Sequence, residues 1–238
     1  MMFDAVTATQ LAMEVDQLKL QTISQNVANM NTLGFKKQLV ELNGFDEYLQ
    51  PQTSNVDQQL QRSQIRTQGT FNQTHNMSDI ALSGEGYFQV QSEQGIFYTR
   101  RGDFQINSYG ELTTATGETL LGKGGTIKID DATFTVDTQG RLFIDHRQID
   151  QLNIVKFNNP NQLHYVGNGL YQSDESPIPT DHNTRILQGF VEQSNVKSID
   201  EMMDMIKTSR HFEASQRVMR TADNLLATAI NQLGEGNV

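Results

Sequence analysis

Between residues 196 and 233 the chain places Met205, Phe212, Met219, Leu226 and Leu233 seven residues apart, with Thr208, Ser215, Ala222 and Ala229 three residues after the first four. Large residues at one seam position and small ones at the other define a coiled-coil edge that a partner helix approaches closely. No Pro or Gly interrupts the run before Gly234. Asn195 or Ser198 supplies an N-cap, and Ser198 stands three residues before Glu201, the spacing of a capping box. At about 1.5 Å per residue such a helix is on the order of 55 Å long. Fixing its backbone costs about 1–2 kcal/mol per residue. Burying five large seam side chains returns about 1.5–3 kcal/mol each, on the order of 10 kcal/mol. One seam is too little for so long a helix, so the pattern calls for several helical neighbours.

Residues 3–31 make the matching demand at the other end. They contain neither Gly nor Pro. Val6, Met13, Leu20 and Val27 repeat at seven, joined by Ile23 and Met30, while Leu11, Val15 and Leu18 form a second stripe on roughly the opposite side. A helix apolar on two faces is contacted on two faces. Gly34 provides the stop. The two end helices are therefore expected to pair with each other and with helices of other subunits. The N-terminal stretch has no basic region and no unbroken apolar core, so it does not read as a cleavable secretory signal. No run of 18 apolar residues is present to span a membrane.

The middle of the chain changes period. Residues 51–70 are Gln-rich with only Val56, Leu60 and Ile65 as apolar anchors, which reads as a strap or linker. From 71 to 190, short β-branched and aromatic runs such as Tyr87-Phe88-Gln89-Val90 and Gly95-Ile96-Phe97-Tyr98-Thr99 alternate with turn signals such as Ser83-Gly84-Glu85-Gly86 and Gly167-Asn168-Gly169. That spacing predicts hairpin-connected antiparallel strands. The expected architecture is α+β: an N-terminal helix over 1–35, an extended strap over 36–70, a β domain over 71–190 and a C-terminal coiled-coil helix over 191–238.

Chemistry-bearing constellations are sparse. Of the five His, at 75, 146, 164, 182 and 211, no two are four apart, and no HExxH occurs. Asp145-His146 are adjacent, and adjacent strand residues point to opposite faces, so they read as a solvated turn. Asp181-His182 reads as a polar loop. Gly122-Lys123-Gly124-Gly125-Thr126 lacks the spacing of a phosphate loop and reads as a hairpin turn. Arg100-Arg101 reads as a surface or interface pair. With no Cys, thiol catalysis, disulfides and Cys-ligated metals are excluded. A formal charge of −10, from 18 basic against 28 acidic residues, argues against binding nucleic acid phosphates or an anionic membrane surface. The 26 Gln and 18 Asn supply hydrogen-bonding capacity without charge. The residues give no catalytic, cofactor or metal site and no small-molecule substrate; they describe a non-enzymatic assembly protein.

Three segments resemble the axial proteins of the bacterial flagellum, specifically the basal-body rod family related to hook protein. The first is Ser24-Gln-Asn-Val-Ala-Asn-Met-Asn-Thr-Leu-Gly-Phe-Lys36. The second runs from Gln68-Gly-Thr70 through Ser78-Asp-Ile-Ala-Leu-Ser-Gly-Glu-Gly-Tyr-Phe-Gln-Val90 to Tyr98-Thr-Arg-Arg-Gly-Asp-Phe104 and Gly110-Glu-Leu112. The third is Gln188-Gly-Phe-Val-Glu-Gln-Ser-Asn-Val196, continuing into Glu201-Met-Met-Asp-Met-Ile206 and Arg210-His-Phe-Glu213. Hook proteins carry extra outer β domains, for which 238 residues leave no room. The pattern from Met205 to Glu213 is closer to the proximal-rod branch than to the distal one.

The resemblance implies a structural subunit that assembles helically with other rod proteins and hook-basal-body components. It implies a hollow drive shaft carrying torque from motor to hook, export by the flagellar type III apparatus without a cleaved signal, and residence in the periplasm-spanning basal body. It places assembly contacts at Asn26, Asn29, Asn31, Gly34 and Phe35 and along Met205, Phe212, Met219 and Leu226. The seam analysis adds Val6, Met13, Leu20, Val27 and Leu233. The alternatives are a distal-rod or hook-type subunit and, from another class, a secreted adhesin or carbohydrate-binding β domain on a coiled-coil stalk.

Overall fold

The computed structural model describes residues 2–42, 60–129, 133–159, 162–180 and 183–235. Residues 51–59 of the Gln-rich strap, and the Asp181-His182 pair, lie outside them. The chain forms two compact units. One takes Met1–Ala28, Gln38–Ser63 and Lys197–Val238; the other takes Asn29–Lys37 and Gln64–Val196.

The first unit is built on α1 (Met2–Ala28) and α2 (Ser198–Glu235), the 38-residue helix that the heptad predicts. Asp16 on α1 meets His211 on α2, and Asn26 meets Glu201. Val6 and Thr9 face Val218, Met219, Ala222 and Leu225. Partners on α2 fall in number as those on α1 rise, so the helices run antiparallel. On α1 the deepest positions are Val15 of the second stripe, Ile23 of the first, and the polar Asp16, Thr22 and Asn26 between them. Val6, Leu11, Met13, Leu18, Leu20 and Val27 are half-buried. Within the expected strap, β1 (Gln38–Leu42) and β2 (Leu60–Gln64) pair with each other as a two-stranded sheet.

The second unit is the β body. Its early strands are β3 (Phe71–Gln73), β4 (Ile80–Ser83), β5 (Tyr87–Ser92), β6 (Gly95–Thr99), β7 (Gln105–Ile106), β8 (Leu112–Thr113), β9 (Thr119–Gly122) and β10 (Gly125–Thr126). There follow β11 (Thr135–Val136), β12 (Arg141–Ile144), β13 (Arg147–Gln151), β14 (Ile154–Lys156), β15 (Leu163–Gly167), β16 (Leu170–Ser173), β17 (Ile178–Pro179), β18 (Arg185–Gln188) and β19 (Phe190–Glu192). The main sheet orders its strands β15-β16-β6-β5-β9-β8-β7, with β14 also on β5, and a separate sheet is ordered β11-β12-β13. Pairings are antiparallel, as in β5 on β6, where Phe88 faces Thr99 and Val90 faces Phe97.

Period two explains why β5 is buried at four successive positions. Phe88 and Val90 enter a large core with Phe97, Phe104, Leu112 and Leu120. Tyr87 and Tyr98 belong to a second, aromatic cluster with Phe157, Leu163 and Tyr171. Both faces of the sheet are thus covered. The Asp145-His146 pair, with φ of 47° and 63°, forms the exposed two-residue turn between β12 and β13. Gly122–Gly125 likewise turns β9 into β10.

Candidate assembly interface

The second of the two units is organised around one buried carboxylate. Glu192 on β19 is 1% exposed. Its Oε1 accepts from Lys36 Nζ at 2.6 Å and from the Gly69 backbone N–H at 3.0 Å; its Oε2 accepts from Arg100 Nε at 3.2 Å. Each of the three similar segments contributes one charge to this cluster: Lys36, Arg100 and Glu192. Such a buried group does not by itself add stability, but removing one partner leaves an unpaired charge out of water. It therefore fixes how the three segments meet.

Arg100 is held beyond its ion pair. Its NH1 donates to the carbonyls of Gly84 and Gly86 at 2.8 and 2.6 Å, and its NH2 to Gly84 at 2.9 Å. Those carbonyls turn inward because Gly84 and Gly86 have φ of +116° and +131°, a conformation side chains resist. Arg100 is 5% exposed, so of the surface or interface pair expected at 100–101 the surface reading is corrected for Arg100: Arg101 alone stays near the surface, bridged to Asp103 at 2.6 Å. An arginine this deep satisfies its donors on a carboxylate and backbone carbonyls, which adjacent arginines in a sequence do not disclose. Lys36 also donates to the Thr67 carbonyl at 3.1 Å. Burial holds its ammonium below the ordinary lysine value, with Glu192 opposing the shift and Arg100 adding to it.

The segment Asn29-Met-Asn-Thr-Leu-Gly-Phe-Lys36 folds onto this cluster. Tyr165 Oη donates to Asn29 Oδ1 at 3.0 Å. Gly34, with φ +67°, sends its N–H to the Glu192 carbonyl at 2.8 Å. A Cβ there would lie 2.5 Å from the Arg100 backbone. Phe35 is fully buried, edge-on to Tyr165 with centroids 5.2 Å apart. Asn195 clasps the same segment: its Oδ1 accepts from Lys37 N at 2.7 Å, and its Nδ2 donates to the carbonyls of Ile65 and Thr67.

In the first unit, Asn26 is 1% exposed. Its Nδ2 donates to Glu201 Oε2 at 3.0 Å and to the Gln38 carbonyl at 2.9 Å, while its Oδ1 accepts from Gln38 N. The carboxylate that the sequence assigns to a capping box thus reaches across to α1. Val6, Met13, Leu20 and Val27 on α1, and Met205, Phe212, Met219 and Leu226 on α2, are half-buried; Asn31 is exposed. Leu233 lies within α2, and its side chain is outside the described residues. On the face of α2 opposite its seam, Ile199, Met202, Met203 and Ile206 are 72, 55, 49 and 54% exposed. Farther along, Val6, Val218, Met219, Ala222 and Leu225 line an apolar groove of about 410 Å³. Sequence reasoning did not single out Lys36 or Glu192, and it read Arg100 as one of a surface or interface pair and Asn195 as an N-cap candidate, whereas the Asn195 side chain bonds Lys37, Ile65 and Thr67. Among the described residues no helix is long and apolar enough to cross a membrane.

Three family profiles match the chain in order. Residues 5–36 match "Flagella basal body rod protein", 81–144 match "Flagellar hook protein FlgE/F/G D1 domain", and 187–233 match "Flagellar basal body rod FlgEFG protein C-terminal". Flagellar basal-body rod protein FlgG of Bacillus subtilis is 31% identical over 90% of this chain and 93% of its own length. FlgG of Buchnera aphidicola subsp. Acyrthosiphon pisum is 30% identical over 94% and 98%. Flagellar basal-body rod protein FlgF of Caulobacter vibrioides is 30% identical over 92% and 93%. The profiles fall on the segments that supply Lys36, Arg100 and Glu192 to one cluster, and the chain belongs to the flagellar basal-body rod protein family, as a structural subunit of the rod.

Proposed function

We propose that this subunit joins the rod through the outward faces of its helix pair and works without catalysis. The observation that carries this reading is the apolar face of α2. Ile199, Met202, Met203 and Ile206 stand in water on the side away from α1. Exposed apolar groups grouped on one helix face mark a protein interaction site. In the assembled rod they pack against helices of adjoining subunits. The inner positions Val6, Met13, Leu20, Val27, Met205, Phe212, Met219 and Leu226 hold the antiparallel pair to which that face belongs. Asn26, Asn29, Asn31, Gly34 and Phe35 set the local geometry of the Asn-rich segment.

The subunit is exported by the flagellar type III apparatus and adds to a hollow shaft that spans the periplasm and carries torque from motor to hook. The pattern at Met205–Glu213 supports the proximal end of that shaft. FlgG and FlgF relatives match at nearly equal identity and so do not discriminate.

The test is the double substitution Met203→Asp with Ile206→Asp, both at exposed positions. The purified chain should keep the wild-type circular dichroism spectrum. Cells carrying it should lose the subunit from isolated basal bodies and stop swimming. Wild-type motility in the double variant refutes the reading.

A further inference from the structure

Every sulfur in this chain is a thioether, since it has nine Met and no Cys. A hydroperoxide that meets the chain finds no thiol, and methionine sulfur is the group left for it to oxidise. Burial sorts those sulfurs. On α2, Met202 and Met203 are 55 and 49% exposed, while Met205 and Met219 are half-buried along the seam. Among the described residues the other exposed sulfurs are Met30 and Met77, both in the second unit.

Placement singles out the pair on α2. Ile199 stands three and four residues before the two Met, and Ile206 four and three after them, so the four side chains adjoin on one helix face. Half of that apolar patch is thioether. The turn that carries it is pinned from the other side, where buried Glu201 accepts from Asn26 at 3.0 Å. A change at the outer sulfurs therefore alters the face and leaves the helix pair in place.

We propose that Met202 and Met203 form an oxidative modification site, at which a hydroperoxide turns the docking face of the unassembled subunit into one that neighbours reject. The sulfur lone pair attacks one peroxide oxygen and the O–O bond breaks. The sulfur loses two electrons and becomes the sulfoxide; hydrogen peroxide leaves as water, and an alkyl hydroperoxide as the alcohol. A polar S=O now stands in the patch, and burying it without a partner is unfavourable. Two thiols reverse the step through a methionine sulfoxide reductase, giving thioether, disulfide and water. The consequence rests on the reading of this face as a rod contact, whereas the chemistry rests on exposure alone. Once neighbours cover the face the sulfurs are shielded, so the site acts before assembly.

The test keeps the two apart. Dilute hydrogen peroxide is added to the full-length isolated chain, and the oxygen gained is located over time by fragmentation of tryptic peptides. Met202 and Met203 should oxidise several-fold faster than Met205 and Met219; equal rates at all four overturn the site. Met202→Gln with Met203→Gln places polar groups of similar length on the patch, and Met202→Leu with Met203→Leu keeps it apolar and inert to peroxide. Both double variants should keep the wild-type circular dichroism spectrum. The double Gln variant should fall roughly tenfold in isolated basal bodies, the effect of about 1.4 kcal/mol at the contact, and the double Leu variant should be retained. An altered spectrum in the double Gln variant, or loss of both variants from basal bodies, overturns the proposal. In purified basal bodies the same peroxide should spare Met202 and Met203. If they react there as fast as in the isolated chain, the face is uncovered and the rod reading of it falls. If they are spared and the double Gln variant still assembles as wild type does, the rod reading stands and the oxidative site falls.

Discussion

Asn26 and Glu201 stand 175 residues apart in sequence and meet at 3.0 Å with both side chains out of water. The same amide holds both backbone groups of Gln38. One side chain thus ties α1, α2 and the start of β1. Asn26→Ala leaves a buried carboxylate short of a donor and two backbone groups without their partner. Each unsatisfied buried group costs about 1–3 kcal/mol. The expected loss is about 3 kcal/mol, read as a lower thermal midpoint of the far-ultraviolet helical signal. A shift within error would show that water replaces the amide.

Glu192→Gln removes the anion and leaves Lys36 and Arg100 buried together. Breaking a buried pair from one side costs about 3–5 kcal/mol. The urea midpoint of the β body should fall accordingly. Lys36→Met added to Glu192→Gln should recover part of the loss, because one stranded cation is gone. Additive losses in the double variant would contradict the cluster.

Phe35→Ala opens a cavity beside Tyr165 in place of a fully buried ring. The expected cost is about 3–5 kcal/mol, checked by denaturant unfolding. Gly34→Ala should also destabilise, since φ is +67° and the new methyl would meet the Arg100 backbone at 2.5 Å. Gly34→Asn, which tolerates that φ better, still carries the clash and should not rescue.

The β body should weaken at alkaline pH. Burial raises the hydroxyls of Tyr87 and Tyr171 above the ordinary 10.0. Below pH 10 both states hold these protons and the stability is intact. Above it the unfolded chain releases them while the folded chain retains them, so stability falls. Lys36 acts oppositely: its value is lowered, so its contribution rises as pH climbs from that value towards 10.5. Urea midpoints measured against pH should therefore drop above about pH 10. Tyr87→Phe with Tyr171→Phe should flatten the drop, and an equal slope in that variant would exclude the tyrosines as its cause.

Local pattern made the helices and hairpins legible. The seven-residue repeat from Met205 announces α2 because a helix returns a side chain to the same face every two turns, and Asp145-His146 announces a turn because neighbours on a strand diverge. The Glu192 cluster was illegible for the opposite reason. Lys36, Arg100 and Glu192 are separated by 64 and 92 positions, and no periodicity connects residues that only the finished sheet brings together. The doublet Arg100-Arg101 gave no sign that one member is enclosed and the other is not. On α1 the depth of Asp16, Thr22 and Asn26, between the two apolar stripes, was hidden because all three are polar; Asp16 and Asn26 find partners in His211 and Glu201 on the other helix.

The antiparallel pairing of α1 with α2 also sets an order of events. Asp16 and His211 lie 195 residues apart. At about 5–20 residues per second, a ribosome delivers the second on the order of 10–40 s after the first. For that interval α1 has been made and its mate does not exist. An isolated helix of this kind is marginal in water. The opening segment of every new copy therefore spends its first tens of seconds as an open chain, and whatever handles the nascent protein meets it before the clasp can close.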